Sequence, residues 1–329
     1  MLKTLYLLGL LLLQTLPMLA RADEGSGLTR LGPREGVIAT AINSDPDNIP
    51  TMGLWLWSRD VLFIYATFPN IEDTRVDCAV FESGHAYLEQ FSSIDLPADD
   101  TIQVRHRYLK NPEITHVLTI KAATGEVTCT GSLELDPEAD ASNLPDTLWE
   151  PDICFQLRYS PAFQAYSSEV SRNSVQHAVQ YRKYLERCFI FMEDGLTYLD
   201  DTVRNEFASS VGWKQDDPRN NPPITQRHLG VWQGAPPDWM KYVSPDRYVS
   251  PILGTVSRDG AHLVALAGIS PNYMQQALFE CLHSYSRWLP EDAPLIERTW
   301  IRKIYAMEND TDALLERFYK DFPHAEKQE

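Results

Sequence analysis

The chain has 329 residues, with 29 Lys and Arg against 46 Asp and Glu, a formal net charge of −17. So acidic a chain has no general attraction for nucleic acid or anionic membranes, because both are held by neutralising phosphates with Lys and Arg. Its length, with 43% apolar residues, is enough for one large domain or two ordinary ones with real cores.

Lys3, an apolar run over residues 5–16 and the small residues of Ala20-Arg21-Ala22 compose a secretory signal peptide, too short to span a membrane. Residues 1–22 are therefore expected to be removed. Losing Lys3 and Arg21 leaves 27 basic against 46 acidic residues, a net charge of −19, in a soluble mature chain that is secreted or periplasmic and has no membrane association.

Residues 23–50 are rich in Gly, Pro, Asp and Asn, with one strand expected over 37–42. LWLW and VLFIYATF then flank Ser58-Arg59-Asp60 as a hairpin, and TRVDCAVF follows as a further strand. In TIQVRHRYL, Ile102, Val104, His106 and Tyr108 alternate against Gln103, Arg105 and Arg107. THVLTIK and EVTCTGSLEL, joined by Ala122-Ala123-Thr124-Gly125, repeat the half-buried pattern. Short antiparallel strands without a long helix between them predict a β-sandwich over residues 23–135.

Residues 136–152 are acidic and proline-bearing and read as a linker. They are not a calcium loop, since Ala141 stands where the turn glycine belongs and Thr147 where the closing glutamate belongs. Residues 153–329 form a second β-rich portion; the two portions are either separate domains or one extended double-sheet body. Helical spacing of Val175, Ala178, Val179, Arg182 and Leu185 predicts a helix over 173–186. CFIFMED and LTYLDDTV make a hairpin about Asp194-Gly195, and a long proline-rich loop, with a strand at 228–233, occupies 212–238.

Residues 246–268 predict a hairpin with Ser257-Arg258-Asp259-Gly260 at its tip. Beyond the tip both faces are apolar, which places this hairpin in the middle of the protein. Ser270-Pro271 then opens an expected helix whose stripe is Met274, Ala277, Leu278, Cys281, Tyr285 and Trp288. Residues 300–307 give a last strand, and Asp310 or Thr311 caps a terminal helix with Leu314, Leu315, Phe318 and Phe322 inward. The fold class is thus mainly β, an antiparallel β-sandwich architecture with about three peripheral helices.

Five cysteines, Cys78, Cys129, Cys154, Cys188 and Cys281, cannot all pair. Cys78 and Cys129 face inward, either as a disulfide or as two buried thiols. No Cys/His cluster suggests zinc, and no phosphate loop or dinucleotide motif suggests a cofactor. Glu280 and His283 form an E-x-x-H on the expected helix, one pair where a di-metal site needs two. Ser257, Asp259 and His262 gather at the hairpin tip, as a polar turn would.

The richest chemistry lies in residues 213–259, where Trp232, Trp239 and Tyr248 stand among Asp216, Asn220, Asp246, Arg247 and Asp259. Aromatics stack on the apolar faces of sugars, while carboxylates, amides and guanidinium groups bond the hydroxyls. The region is expected to bind or process an extracellular polysaccharide or oligosaccharide. Trp232, Trp239, Arg247, Tyr248 and Asn220 are the candidate binding residues, and Asp216, Asp246, Asp259 and His262 the candidate catalytic groups of a hydrolase or lyase. The alternative is a non-catalytic structural or protein-interaction component of the cell envelope.

Overall fold

The computed structural model describes residues 29–34, 37–42, 50–58, 61–71, 74–79, 89–108, 111–140, 152–157, 160–164, 180, 183–202, 224–226, 246–269, 273–277, 281–285, 289 and 292–325. These residues are mostly β, in two antiparallel sheets of nine strands each. The first sheet opens with the meander β1 (Thr29–Arg34), β2 (Val37–Ile42), β3 (Thr51–Ser58), β4 (Val61–Thr67) and β5 (Arg75–Ala79). Beside β5 lie β10 (Asp152–Gln156), β17 (Cys281–Tyr285), β16 (Tyr273–Ala277) and β13 (Ile224–Gln226), in that spatial order. The second sheet runs β12 (Gly195–Tyr198), β11 (Cys188–Met192), β14 (Tyr248–Val256), β15 (His262–Gly268), β18 (Thr299–Glu308), β9 (Glu126–Leu135), β8 (Ile114–Ala123), β7 (Thr101–Tyr108) and β6 (Glu89–Ala98).

Each sheet therefore takes strands from both sides of residues 136–152. Backbone pairing crosses that segment twice, β5 to β10 and β9 to β18. The halves are laid differently: the first builds one meander in each sheet, whereas the second alternates between sheets.

The expected hairpin lies inside the second sheet, as its third and fourth strands. β14 and β15 are buried almost throughout, and Gly260 takes φ 75° at the tip, a conformation open to glycine without strain. Their two faces serve different cores. Leu253, Val264 and Leu266 join a cluster with Met52, Ile64 and Phe155 of the first sheet. Ile252, Leu263 and Ala265 join another with Leu314, Phe318 and Phe322 of the C-terminal helix α1 (Thr311–Asp321) and the residue that follows it. Burying each large apolar side chain contributes about 1.5–3 kcal/mol, so a strand used on both faces is held twice over.

Helix α1 starts as its sequence dictates, with the Asp310 side chain accepting from the Ala313 backbone N–H at 2.9 Å. Ion pairs fasten it to the sheet. Lys303 reaches Glu126 and Asp321, both at 2.9 Å, and Arg317 reaches Glu126 at 2.7 Å. Tyr305 donates to Asp321 at 2.8 Å; burial first, then that carboxylate, pushes its phenol above the ordinary range.

Several expectations are corrected. Residues 273–277 and 281–285 are the strands β16 and β17, not a helix. A 3.6-residue stripe distinguishes a helix only when one face is wet; here Leu282, His283 and Ser284 are buried in succession, so both faces are covered. Pairing with β10 and β13 then satisfies the backbone laterally. His283 accordingly sits in a strand, and Glu280 lies outside the described residues. The strand after Asp194-Gly195 stops at Tyr198, where a 3₁₀ turn over Leu199–Asp201 buries Leu199. Of the helix expected over 173–186, residues 180 and 183–186 are described; 180 and 183–185 are helical, and Glu186 is already in the turn that follows.

Cys129 is a free buried thiol, so it forms no disulfide with Cys78. It lines a small apolar cavity with Val76, Met52, Ile64 and Ile304, which makes it a small hydrophobe of the core. Strands β1, β6 and β13 lie outside the sequence expectation. In β6 the pattern is blurred by Pro97 and by two register shifts against β7, features of an edge strand.

Candidate functional site

β14 positions every described member of the predicted site, at one end or the other. Asp246 and Arg247 precede its first residue, half-buried and exposed respectively, and Tyr248 opens it. Asp259 lies in the turn beyond its last residue, and His262 opens β15 on the far side of that turn. Nine strand residues at about 3.3 Å each span roughly 30 Å. Asp246 and Asp259 are thus far outside the roughly 5–10 Å separation of paired glycosidase carboxylates. Asp216, Asn220, Trp232 and Trp239 lie outside the described residues.

Tyr248 is 2% exposed and belongs to the core shared by the two sheets. Its ring is an anchor for the start of β14 and not a stacking platform. Alternation explains the contrast with Arg247: adjacent residues at a strand start face opposite ways.

The hairpin tip is a hydrogen-bonded turn. The Ser257 hydroxyl donates to Asp259 Oδ1 at 2.5 Å, the Ala261 N–H donates to the same oxygen at 3.0 Å, and the His262 N–H donates to Ser257 Oγ at 3.0 Å. These bonds, led by that of Ser257, hold the Asp259 carboxyl below its usual range. The Ser257 hydroxyl is thus shared between the Asp259 carboxylate and the His262 backbone as part of the turn. Arg258 turns the other way: its guanidinium donates to the Gln164 carbonyl at 3.1 and 3.2 Å, and its backbone N–H to Ala162 at 2.8 Å. Arg187 donates to the same Gln164 carbonyl at 3.1 Å. The tip is fastened to the 160–164 turn.

A polar row on the core-facing side of the second sheet escaped sequence reasoning. His106 and His116 are cross-strand partners, 3% and 2% exposed. Trp300 lies over Gly131 and donates its indole N–H to His116 Nε2 at 3.2 Å. Two residues on, Arg302 is fully buried over Gly268 and donates to the carbonyls of Ile301 at 2.6 Å and Ile269 at 3.3 Å. Desolvation first, then the charge of His116, drives the His106 imidazole well below its usual value, so it is neutral at pH 7. The sequence carried a signal for the row: His106 alternates with Val104 and Tyr108, and Arg302 with Trp300 and Ile304. A polar residue at an apolar phase of a strand marks an internal contact.

Neither buried thiol serves chemistry. Cys188 shares a 2.8 Å hydrogen bond with Thr255, and burial pushes its thiol up to about 12. Among the described residues no group of three or more His, Cys, Asp or Glu could hold a metal ion, and no helix is long and apolar enough to cross a membrane.

One corner of the surface is unlike the rest. Among the described residues the exposed large apolar side chains are Leu196, Tyr198 and Val249, 38%, 36% and 40% exposed. Leu196 and Tyr198 alternate on β12, the last strand of its sheet, and pair with Phe191 and Phe189. Phe191 pairs in turn with Ser250, beside Val249, two strand spacings or roughly 10 Å from Leu196. Glu193, Asp194 and Asp201 are exposed and Asp200 half-buried around the ends of β12.

No protein-family profile and no curated protein matches this chain.

Proposed function

We propose that the two sheets face each other as a β-sandwich, and that the protein is an exported carbohydrate-binding protein without catalytic activity. The observation that carries the reading is the start of β14. There Arg247 is exposed and Asp246 half-buried at the point where the aromatic-rich segment runs into a strand buried on both faces. A guanidinium and a carboxylate fixed at the end of such a strand are suited to bonding sugar hydroxyls, with Trp232 and Trp239 supplying the stacking surface. The separation of Asp246 from Asp259 removes their pairing as acid and base, and Asp259 is engaged by its own turn.

Glycan-array binding by the mature chain is the test. Trp232→Ala, Trp239→Ala and Arg247→Ala are each expected to weaken binding at least tenfold, with no release of new reducing ends from the bound polysaccharide. Equal binding by the three variants, or no binding to any glycan, removes the reading.

A second reading, a protein-interaction component of the cell envelope, is favoured by the apolar corner of β12 and Val249. Exposed apolar side chains on an edge strand, here Leu196 and Tyr198 of β12, are a feature of partner surfaces.

A further inference from the structure

We infer that β12 docks an extended segment of a basic partner protein, laid along the side of β12 away from β11. The inference rests on the second reading and adds to it the place and the chemistry of the partner.

Position is the first argument. β12 ends its sheet, and its described hydrogen-bonded neighbour is β11 alone. The outer side of such a strand presents backbone N–H and C=O groups that an added strand satisfies. Burial is the second. Two of the three exposed large apolar side chains of the described residues, Leu196 and Tyr198, lie on β12, whereas their cross-strand partners Phe191 and Phe189 are buried. Leu196 and Tyr198 share one face of β12, so an added strand meets them with alternate residues.

Charge selects the partner. Glu193 and Asp194 stand at one end of β12, and Asp200 and Asp201 at the other. The strand between them is four residues, about 13 Å. A segment with an alternating apolar centre and a cation at each end matches both the apolar face and the two acidic ends. A second copy of this chain brings the same acids to the same place, on a molecule of formal charge −17, and is repelled. Arg247 precedes Tyr248, the partner of Met192, and so stands across from Glu193, at the end of β12 opposite to Asp200 and Asp201.

The probe is a fluorescein-labelled octapeptide of two lysines, Val-Thr-Val-Thr and two lysines, titrated with the mature full-length chain and read by anisotropy. Saturable binding is expected at 50 mM salt and at least tenfold weaker binding at 300 mM. The Leu196→Ser/Tyr198→Ser variant, altered at exposed positions that leave the cores intact, is expected to lose at least tenfold in affinity, as is Asp194→Lys/Asp201→Lys. A peptide with glutamates for lysines is expected not to bind. Binding of the lysine peptide that survives both double variants overturns the assignment, as does equal binding of the glutamate peptide. A dimer of the natural chain that dissociates in the Leu196→Ser/Tyr198→Ser variant gives the corner to a second copy and overturns it too. If the chain captures an envelope protein equally well with and without those substitutions, the interaction reading survives and this site for it does not.

Discussion

Gly131, Gly254 and Gly268 each lie beneath a large side chain of the next strand, Trp300, Phe189 and Arg302 respectively. A Cβ on Gly131 would stand 1.9 Å from the indole nitrogen of Trp300, and one on Gly268 2.3 Å from the Arg302 guanidinium. Gly131→Ala is therefore expected to push Trp300 off His116 and to destabilise the protein by about 3 kcal/mol, an overpacking cost plus a lost hydrogen bond. Urea denaturation measures it; a loss below about 0.5 kcal/mol would mean that the indole has room to move. His106 makes a second test. Its folded value lies below the 6.5 of the unfolded imidazole, so between those two values the unfolded chain binds more protons. Its contribution is complete above about pH 6.5 and is lost as the pH falls toward the folded value. The unfolding free energy is expected to drop from pH 7 to pH 5, and the drop to shrink in His106→Leu. An unchanged slope in that variant would place the acid sensitivity elsewhere.

At the scale of elements, the contrast is between α1 and residues 273–285. The N-cap, inward stripe and stop of α1 were legible because each is local: Asp310 bonds three residues on, and Leu314 and Phe318 recur on one face over a wet one. Asp310→Ala is expected to cost about 1 kcal/mol. Glu126→Ala should cost more, about 2 kcal/mol, because it strips a shared carboxylate from Lys303 and Arg317, which are 14% and 30% exposed. Thermal melts of the two variants check the order, and a Glu126→Ala loss no larger than that of the cap variant would demote the ion pairs to surface contacts. Residues 273–285 offered an equally regular helical stripe, and it misled. Their neighbours β10 and β13 lie more than a hundred and about fifty residues earlier in the chain, so nothing local announced the pairing. The candidate site divides in the same way. The tip Ser257-Arg258-Asp259-Gly260 was legible as a turn, while the burial of Tyr248 beside an exposed Arg247 depended on which face of β14 met the other sheet.

For the whole molecule, the crossings from β5 to β10 and from β9 to β18 tie the two halves at two seams. Ending the chain at residue 135 would leave β5 and β9 as open edges in place of interior strands. The mature protein is accordingly expected to unfold in one cooperative transition, and a fragment of residues 23–135 to show neither that transition nor dispersed amide resonances. A fragment that folds by itself would establish an autonomous first domain. Alternation, Asp-Gly turns and a capping aspartate let the sequence alone determine that the chain is antiparallel β, that residues 246–268 are its central hairpin and that a helix closes it. These properties depend on neighbours a few residues away. Tertiary structure alone decided the sheet order, the strands at 273–277 and 281–285, the free thiol of Cys129 and the row from His106 to Arg302. Each depends on which distant strand lies alongside, and strand pairing obeys hydrogen-bond register and shared burial that no short stretch of sequence contains.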